Sequence, residues 1–187
     1  MPAHAWERAR AELPALAERL GLNYRPSAQP GRAGELNGIL RGHRVLVRPD
    51  RPALFVEYRF RVEGLRLSTA RPRRAPAETL RTGHRGFERT FPLRVAPGPA
   101  GAALRGATAF HEAAVACMRR WRRRLVRLDF EGAQVSAMLK RRGLLRPRAY
   151  LTAAEVEALL PQLLGLVEAL EAALRTHALG QAVRTRP

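Results

Sequence analysis

Arginine carries most of the chemistry this chain can offer, and its densest run is Arg119-Arg120-Trp121-Arg122-Arg123-Arg124. A guanidinium stays charged at physiological pH and presents a planar fork of donors that fits two oxygens of a phosphate or carboxylate. Read as the end of a helix, the run turns Trp121 to the core beside Cys117 and fans its arginines over the exposed side, where the helix dipole favours cations. The same run also reads as a solvated face whose stems lie over Trp121. A second candidate follows from strand alternation. With Val45 and Val47 facing inward, Arg44 and Arg48 face out. By the same rule Arg59, Arg61 and Arg66 face out from neighbouring strands, with Phe55 among them. Such a face would be a platform for phosphates and a stacked base. The alternatives are a covering helix, pairing of the arginines with Glu57 and Glu63, or a register shifted by one residue.

No catalytic constellation is legible. His111-Glu112 opens like a zinc-protease helix but lacks the second histidine at the required spacing. His4, His43, His84, His111 and His177 are scattered without ligand-like pairing. Cys117 falls on an apolar helical stripe, which suits a buried, inert thiol. Gly98 to Gly101 and Gly106 lack the Gly-Lys-Ser/Thr ending of a phosphate loop. Ser27, Ser68 and Ser136 stand outside any nucleophile-elbow sequence. Glu155 and Glu157 fall on different helix faces and read as capping and solvating charges. The expectation is a non-enzymatic protein with no catalytic residues, no metal and no cofactor.

Charge sharpens that expectation. The 187 residues carry 34 basic against 16 acidic side chains, a formal net charge of +18. Lys140 is the sole lysine, so the coding bias of a GC-rich genome accounts for arginine in place of lysine, yet not for the basic excess. A field of this sign attracts nucleic acid, an acidic protein or an anionic membrane surface. With 46% hydrophobic residues the chain can build a core. No apolar run approaches the roughly 18–20 residues needed to cross a bilayer, the N-terminus lacks a secretory pattern, and the single cysteine excludes an internal disulfide. Together these predict a cytoplasmic protein.

The elements that must position the arginines can be read from periodicity. Trp6, Ala9, Leu13, Leu16 and Leu20 predict an N-terminal helix, kinked or broken at Pro14 and stopped by Gly21. Residues 22–34 read as a loop. Glu35–Leu40 and His43–Arg48 flank an Arg41-Gly42 turn, and a strand over residues 54–62 and another at Leu65 and Leu67 complete a four-stranded antiparallel meander. Residues 70–90 read as a long polar connection, Phe91–Val95 as a strand and 97–101 as a flexible link. A helix over about 108–123 then carries the arginine run. A hairpin follows, with Val126, Leu128 and Phe130 alternating before Val135, Ala137 and Leu139. Thr152 and Glu155 form a capping box for a long leucine-rich helix, kinked at Pro161 and ended by Gly180. Its leucines read as the half-core that covers the sheet rather than an oligomer surface.

Residues 82–174 resemble a bacterial family of unknown function, through Thr82-Gly83-His84-Arg85-Gly86-Phe87-Glu88-Arg89-Thr90-Phe91. The family's motif has a small or acidic pair, a phenylalanine, three residues and a second phenylalanine opening a strand. A helix, a hairpin and a leucine-rich helix follow it. His84 stands where the motif has an acid. The resemblance implies a fold and no activity, and Phe87 and Phe91 read most simply as core anchors. The expected architecture is one α+β domain over 1–180: helix and meander to 69, linker and strand over 70–107, helix-hairpin-helix over 108–180, and a disordered tail at 181–187. The expected function is binding of an anionic partner, nucleic-acid backbone first. The alternative is an adaptor whose basic surface meets an acidic protein.

Overall fold

Buried apolar residues line one face of the sheet, and that face organises the molecule. The computed structural model describes residues 5–59, 62–72, 74, 76, 78–96, 98–140 and 151–184. In chain order the elements are α1 (Ala5–Leu20), β1 (Asn23–Arg25), β2 (Glu35–Leu40), β3 (His43–Arg48), β4 (Ala53–Glu57), β5 (Arg66–Ser68), α2 (Arg85–Thr90), β6 (Leu93–Val95), α3 (Gly98–Arg105), α4 (Thr108–Trp121), β7 (Leu125–Glu131), β8 (Gln134–Leu139) and α5 (Ala153–Arg184). The fold class is α+β, with one eight-stranded antiparallel sheet ordered β1-β2-β3-β4-β8-β7-β5-β6.

That order differs from a four-stranded meander. β2, β3 and β4 are sequential neighbours, but the β7–β8 hairpin inserts between β4 and β5. The reason lies just past β4. The Tyr58 amide donates to Ala133 O at 2.7 Å and the Val62 amide to Gly132 O at 3.4 Å. The chain therefore wraps the hairpin tip and returns as β5 on the hairpin's far side. Phe60 and Arg61, expected on a long strand, lie outside the described residues. The β2–β3 turn is as expected: Arg41 and Gly42 both take positive φ, 52° and 79°, the conformation a tight two-residue hairpin demands.

Several stretches read as loops are ordered elements. Residues 23–25 add β1 to the β2 edge. α2 and α3 occupy the expected connection and flexible link. α2 is too short to show a periodic stripe; it is fixed by its caps, with His84 Nδ1 accepting from the Phe87 amide at 3.0 Å. Glu88 reaches back to the Thr82 and Gly83 amides at 2.7 and 3.1 Å, and the Thr82 amide, chiefly, holds its carboxyl below the ordinary range. α1 and α5 run unbroken through Pro14 and Pro161. The residues four positions earlier, Arg10 and Glu157, are exposed, so the carbonyl that loses its amide lies on the wet side of the helix. α5 also passes Gly180, since glycine lowers helix propensity without forbidding helix. It continues to Arg184, into the expected tail, whose last residues 185–187 lie outside the described set.

Cross-strand register lines up Val45, Val56, Val135, Phe130 and Leu67 in one row on the buried face. α5 covers its centre with Val156, Leu159, Leu160, Leu163 and Leu170, and α4 covers the β7 side with Phe110 and Ala114, all buried. Phe87 and Phe91 are indeed core anchors: fully buried, stacked with centroids 4.7 Å apart, and met by Phe110 and Phe130 at 5.7 and 5.9 Å. Each such pair adds about 0.5–1.5 kcal/mol beyond its buried area. Val126, expected inward, is 60% exposed because a bulge between Leu125 and Arg127 shifts the alternation and buries Leu125 instead.

Candidate anion-binding site

The arginine run ends α4, and two of its members fix the rest. Trp121 Nε1 donates to Gln162 Oε1 of α5 at 3.2 Å. Arg124 Nε donates to Glu155 Oε1 at 2.7 Å, a pair only 16% and 11% exposed, and its terminal nitrogen reaches the Lys140 carbonyl. Arg124 is thus a structural bolt joining α4, α5 and the end of β8, not a free anion ligand. Arg119, Arg120, Arg122 and Arg123 are all exposed. None of the four has a carboxylate partner among the described residues, and all 16 acidic side chains of the chain belong to that set. Exposed Lys140 hydrogen-bonds through its amide to Arg124 O beside them. Four exposed guanidinium groups without carboxylate partners thus fall within five consecutive positions at the end of α4 and form a positive surface.

The sheet arginines form no such surface. Arg44 lies 3.9 Å from Glu57, Arg48 3.8 Å from Glu35 and Arg66 3.0 Å from Glu131. Phe55, the expected stacking ring, is covered by the Arg48 guanidinium at 5.8 Å from its centroid. Arg59 leaves the sheet face altogether. It lies past the end of β4, donates to Arg41 O at 2.7 Å and sits 3.9 Å from Glu171 of α5. Arg61 lies outside the described residues. The platform is therefore a mosaic of neutralised pairs.

Three further features were hidden from sequence reasoning. Glu171 is 1% exposed, receives the Arg59 amide at 2.7 Å, and holds His43, Arg59 and Arg175 within 3.8–3.9 Å. Arg94, also buried, donates to the Leu80, Glu88 and Phe91 carbonyls and is consumed as a clasp around α2. Lastly, an open cleft of about 500 Å³ lies between the 26–34 loop and the β3–β4 turn, lined by Arg25, Arg32, Arg48 and Arg51 with Glu35 and Asp50. These arginines come from β1, the loop, β3 and the β3–β4 turn, so no single period in the sequence signals that they meet.

Burial also shifts Cys117 and His111. It pushes the Cys117 thiol up to about 11, the state of an unreactive thiol, and drives the His111 imidazole down to about 4. Among the described residues no group of three or more His, Cys, Asp or Glu gathers as a metal would need, and no helix is long and apolar enough to cross a membrane.

No protein-family model matches the chain, and no curated protein matches it in sequence. A solved structure does share the fold. It is the mycobacterial trehalose monomycolate transport factor A, TtfA, at a TM-score of 0.50 and 12% identity over 91% of this chain and 94% of that one. At that identity the likeness is one of fold.

Proposed function

We propose that this protein is a non-enzymatic binding module for an anionic partner, nucleic-acid backbone first, engaged through Arg119, Arg120, Arg122 and Arg123. The observation that carries the reading is the contrast in pairing: these four are exposed and without carboxylates among the described residues, while Arg44, Arg48 and Arg66 of the sheet are matched within the chain. Interactions of this kind reach phosphates and not base edges, so binding is weakly sequence-selective and strongly salt-dependent. The test is a fluorescence-anisotropy titration of short DNA and RNA duplexes and single strands at several salt concentrations. Affinity should fall steeply with salt, and replacing the four arginines by alanine should flatten that slope. No binding at low salt, or affinity indifferent to salt, rejects the reading.

A second reading, an adaptor whose basic surface meets an acidic protein, is favoured by one observation. The face of the sheet opposite the core exposes Ile39 and Met138, at 68% and 45%, and their cross-strand partners on the neighbouring strands are Arg44 and Arg127. The fold neighbour is itself named a transport factor. Pull-down with and without nuclease separates the two readings: partners that survive nuclease favour the adaptor.

A further inference from the structure

We propose that the cleft between the 26–34 loop and the β3–β4 turn is a separate site for a compact, multiply charged phosphate of the oligophosphate class, held by Arg25, Arg32 and Arg51. Its volume of about 500 Å³ is that of a small-molecule site, which typically spans roughly 300–1,000 Å³. Its lining sets four guanidinium groups against two carboxylates, and both carboxylates are already engaged. Asp50 Oδ1 accepts the Ala33 amide at 2.9 Å, and Glu35 sits 3.8 Å from Arg48. Arg25, Arg32 and Arg51 are exposed and have no carboxylate partner among the described residues. Forks of this kind grip a tetrahedral oxyanion bidentately.

The lining also says what the ligand is not. Among the described residues no aromatic ring and no large aliphatic side chain lines the cleft, so neither a nucleobase nor an acyl chain finds a surface to pack on. Charge density is what the site can read. Ser27, whose Oγ accepts the Gln29 amide at 3.1 Å, keeps its hydroxyl proton for a phosphate oxygen.

The walls are set before any ligand arrives. Tyr24 donates its hydroxyl to Ala33 O at 2.6 Å, and Ala33 donates its amide to Asp50, so β1, the loop and the turn are tied through one buried residue. Gly34 takes φ +102°, and a Cβ there would stand 2.4 Å from Arg25 O. The loop thus passes against the β1 backbone in a way only glycine permits. A preformed cleft spares the ligand the cost of ordering it.

Calorimetry on the full chain with inorganic tripolyphosphate, pyrophosphate, orthophosphate and sulfate at matched ionic strength tests the site. One tripolyphosphate should bind per chain, with affinity falling through the series. Arg25→Ala, Arg32→Ala and Arg51→Ala should each weaken it about tenfold, the effect of removing a charge-assisted hydrogen bond. Asp50→Asn keeps the acceptor for the Ala33 amide, removes a negative charge and should tighten binding. Because Arg32 and Arg51 are exposed, their variants should melt like the parent, so weaker binding cannot be laid to misfolding. Tripolyphosphate binding no better than sulfate, several equivalent sites per chain, or indifference to all four substitutions would overturn the proposal. The quadruple alanine variant of Arg119, Arg120, Arg122 and Arg123 should leave tripolyphosphate binding intact while no longer holding nucleic acid. The two sites therefore fail independently.

Discussion

Two regions of this protein carry exposed arginines in similar number and treat them in opposite ways. On the open face of the sheet, Arg44, Arg48 and Arg66 stand beside Glu57, Glu35 and Glu131 on neighbouring strands. At the end of α4, Arg119, Arg120, Arg122 and Arg123 have no such neighbour among the described residues. The difference is geometric. Directly opposite cross-strand residues lie about 4.5–5.5 Å apart at Cβ, so an acid one strand over neutralises an arginine almost automatically. A helix end protrudes, and only its own turn and the element packed beneath it can supply an acid. Here that element supplies one, Glu155, and the half-buried Arg124 takes it. Counting charges thus misjudges where the field is; pairing decides it.

The largest effect is expected where the two regimes meet. Glu155→Ala leaves the largely buried Arg124 guanidinium with the Lys140 carbonyl but no carboxylate, removes the Thr152 cap partner as well, and should cost about 3–5 kcal/mol in denaturant unfolding. A cost under about 1 kcal/mol, the range of an exposed pair, would mean Arg124 swings out to join the free arginines, and the contrast between bolt and ligand would break.

Basic side chains removed from water altogether extend the comparison. His111 is 1% exposed, packs 4.4 Å from the Phe87 ring and 5.5 Å from His84, and titrates near 4 against an ordinary 6.5, chiefly through burial. The unfolded chain binds its proton near 6.5 and the folded chain only near 4. Stability from this residue is therefore complete above about pH 6.5 and drains as pH falls towards 4, by up to about 3 kcal/mol. Melting curves across that range should show the decline, and His111→Leu should flatten it. An unchanged profile in the variant would place the titration elsewhere.

Next in size is the affinity contrast. Replacing Arg119, Arg120, Arg122 and Arg123 by alanine should lower nucleic-acid affinity about a hundredfold at low salt and shrink the salt slope by about 0.9 for each phosphate left without its arginine. Replacing Arg44, Arg48 and Arg66 should change it only a few-fold. Equal effects from both variants would show that the mosaic still acts as one field.

The smallest effect sharpens the picture most finely. A double-mutant cycle on Arg66 and Glu131, both more than half exposed, should return a coupling of about 0.2–1 kcal/mol that fades in salt. Zero coupling would leave Arg66 as free as the α4 arginines.

Much of the fold was legible in the residues. The 3.6-residue stripes of α4 and α5, the Arg41-Gly42 turn, the β7–β8 hairpin and the Thr152/Glu155 capping box, with hydrogen bonds of 3.2–3.3 Å, are all local, and local periodicity and capping specify them. β1, α2 and α3 escaped because elements of 3–8 residues are too short to display a period; neighbours hold them. Of the candidate site, the α4 run was visible because four exposed arginines fall within five consecutive positions, while the cleft joins side chains from 25 to 51 through a loop with no repeat.

By itself the sequence determined the net positive charge, the elements with a full period and, past the bulge at Val126, the face they bury, since these depend on residue type and on neighbours a few positions away. Only the tertiary structure decided that the β7–β8 hairpin enters between β4 and β5, that Glu171 is buried, and which arginines are neutralised. Those outcomes depend on distances between residues far apart in the chain, and a guanidinium's availability is set by whether a carboxylate from elsewhere comes within about 4 Å of it.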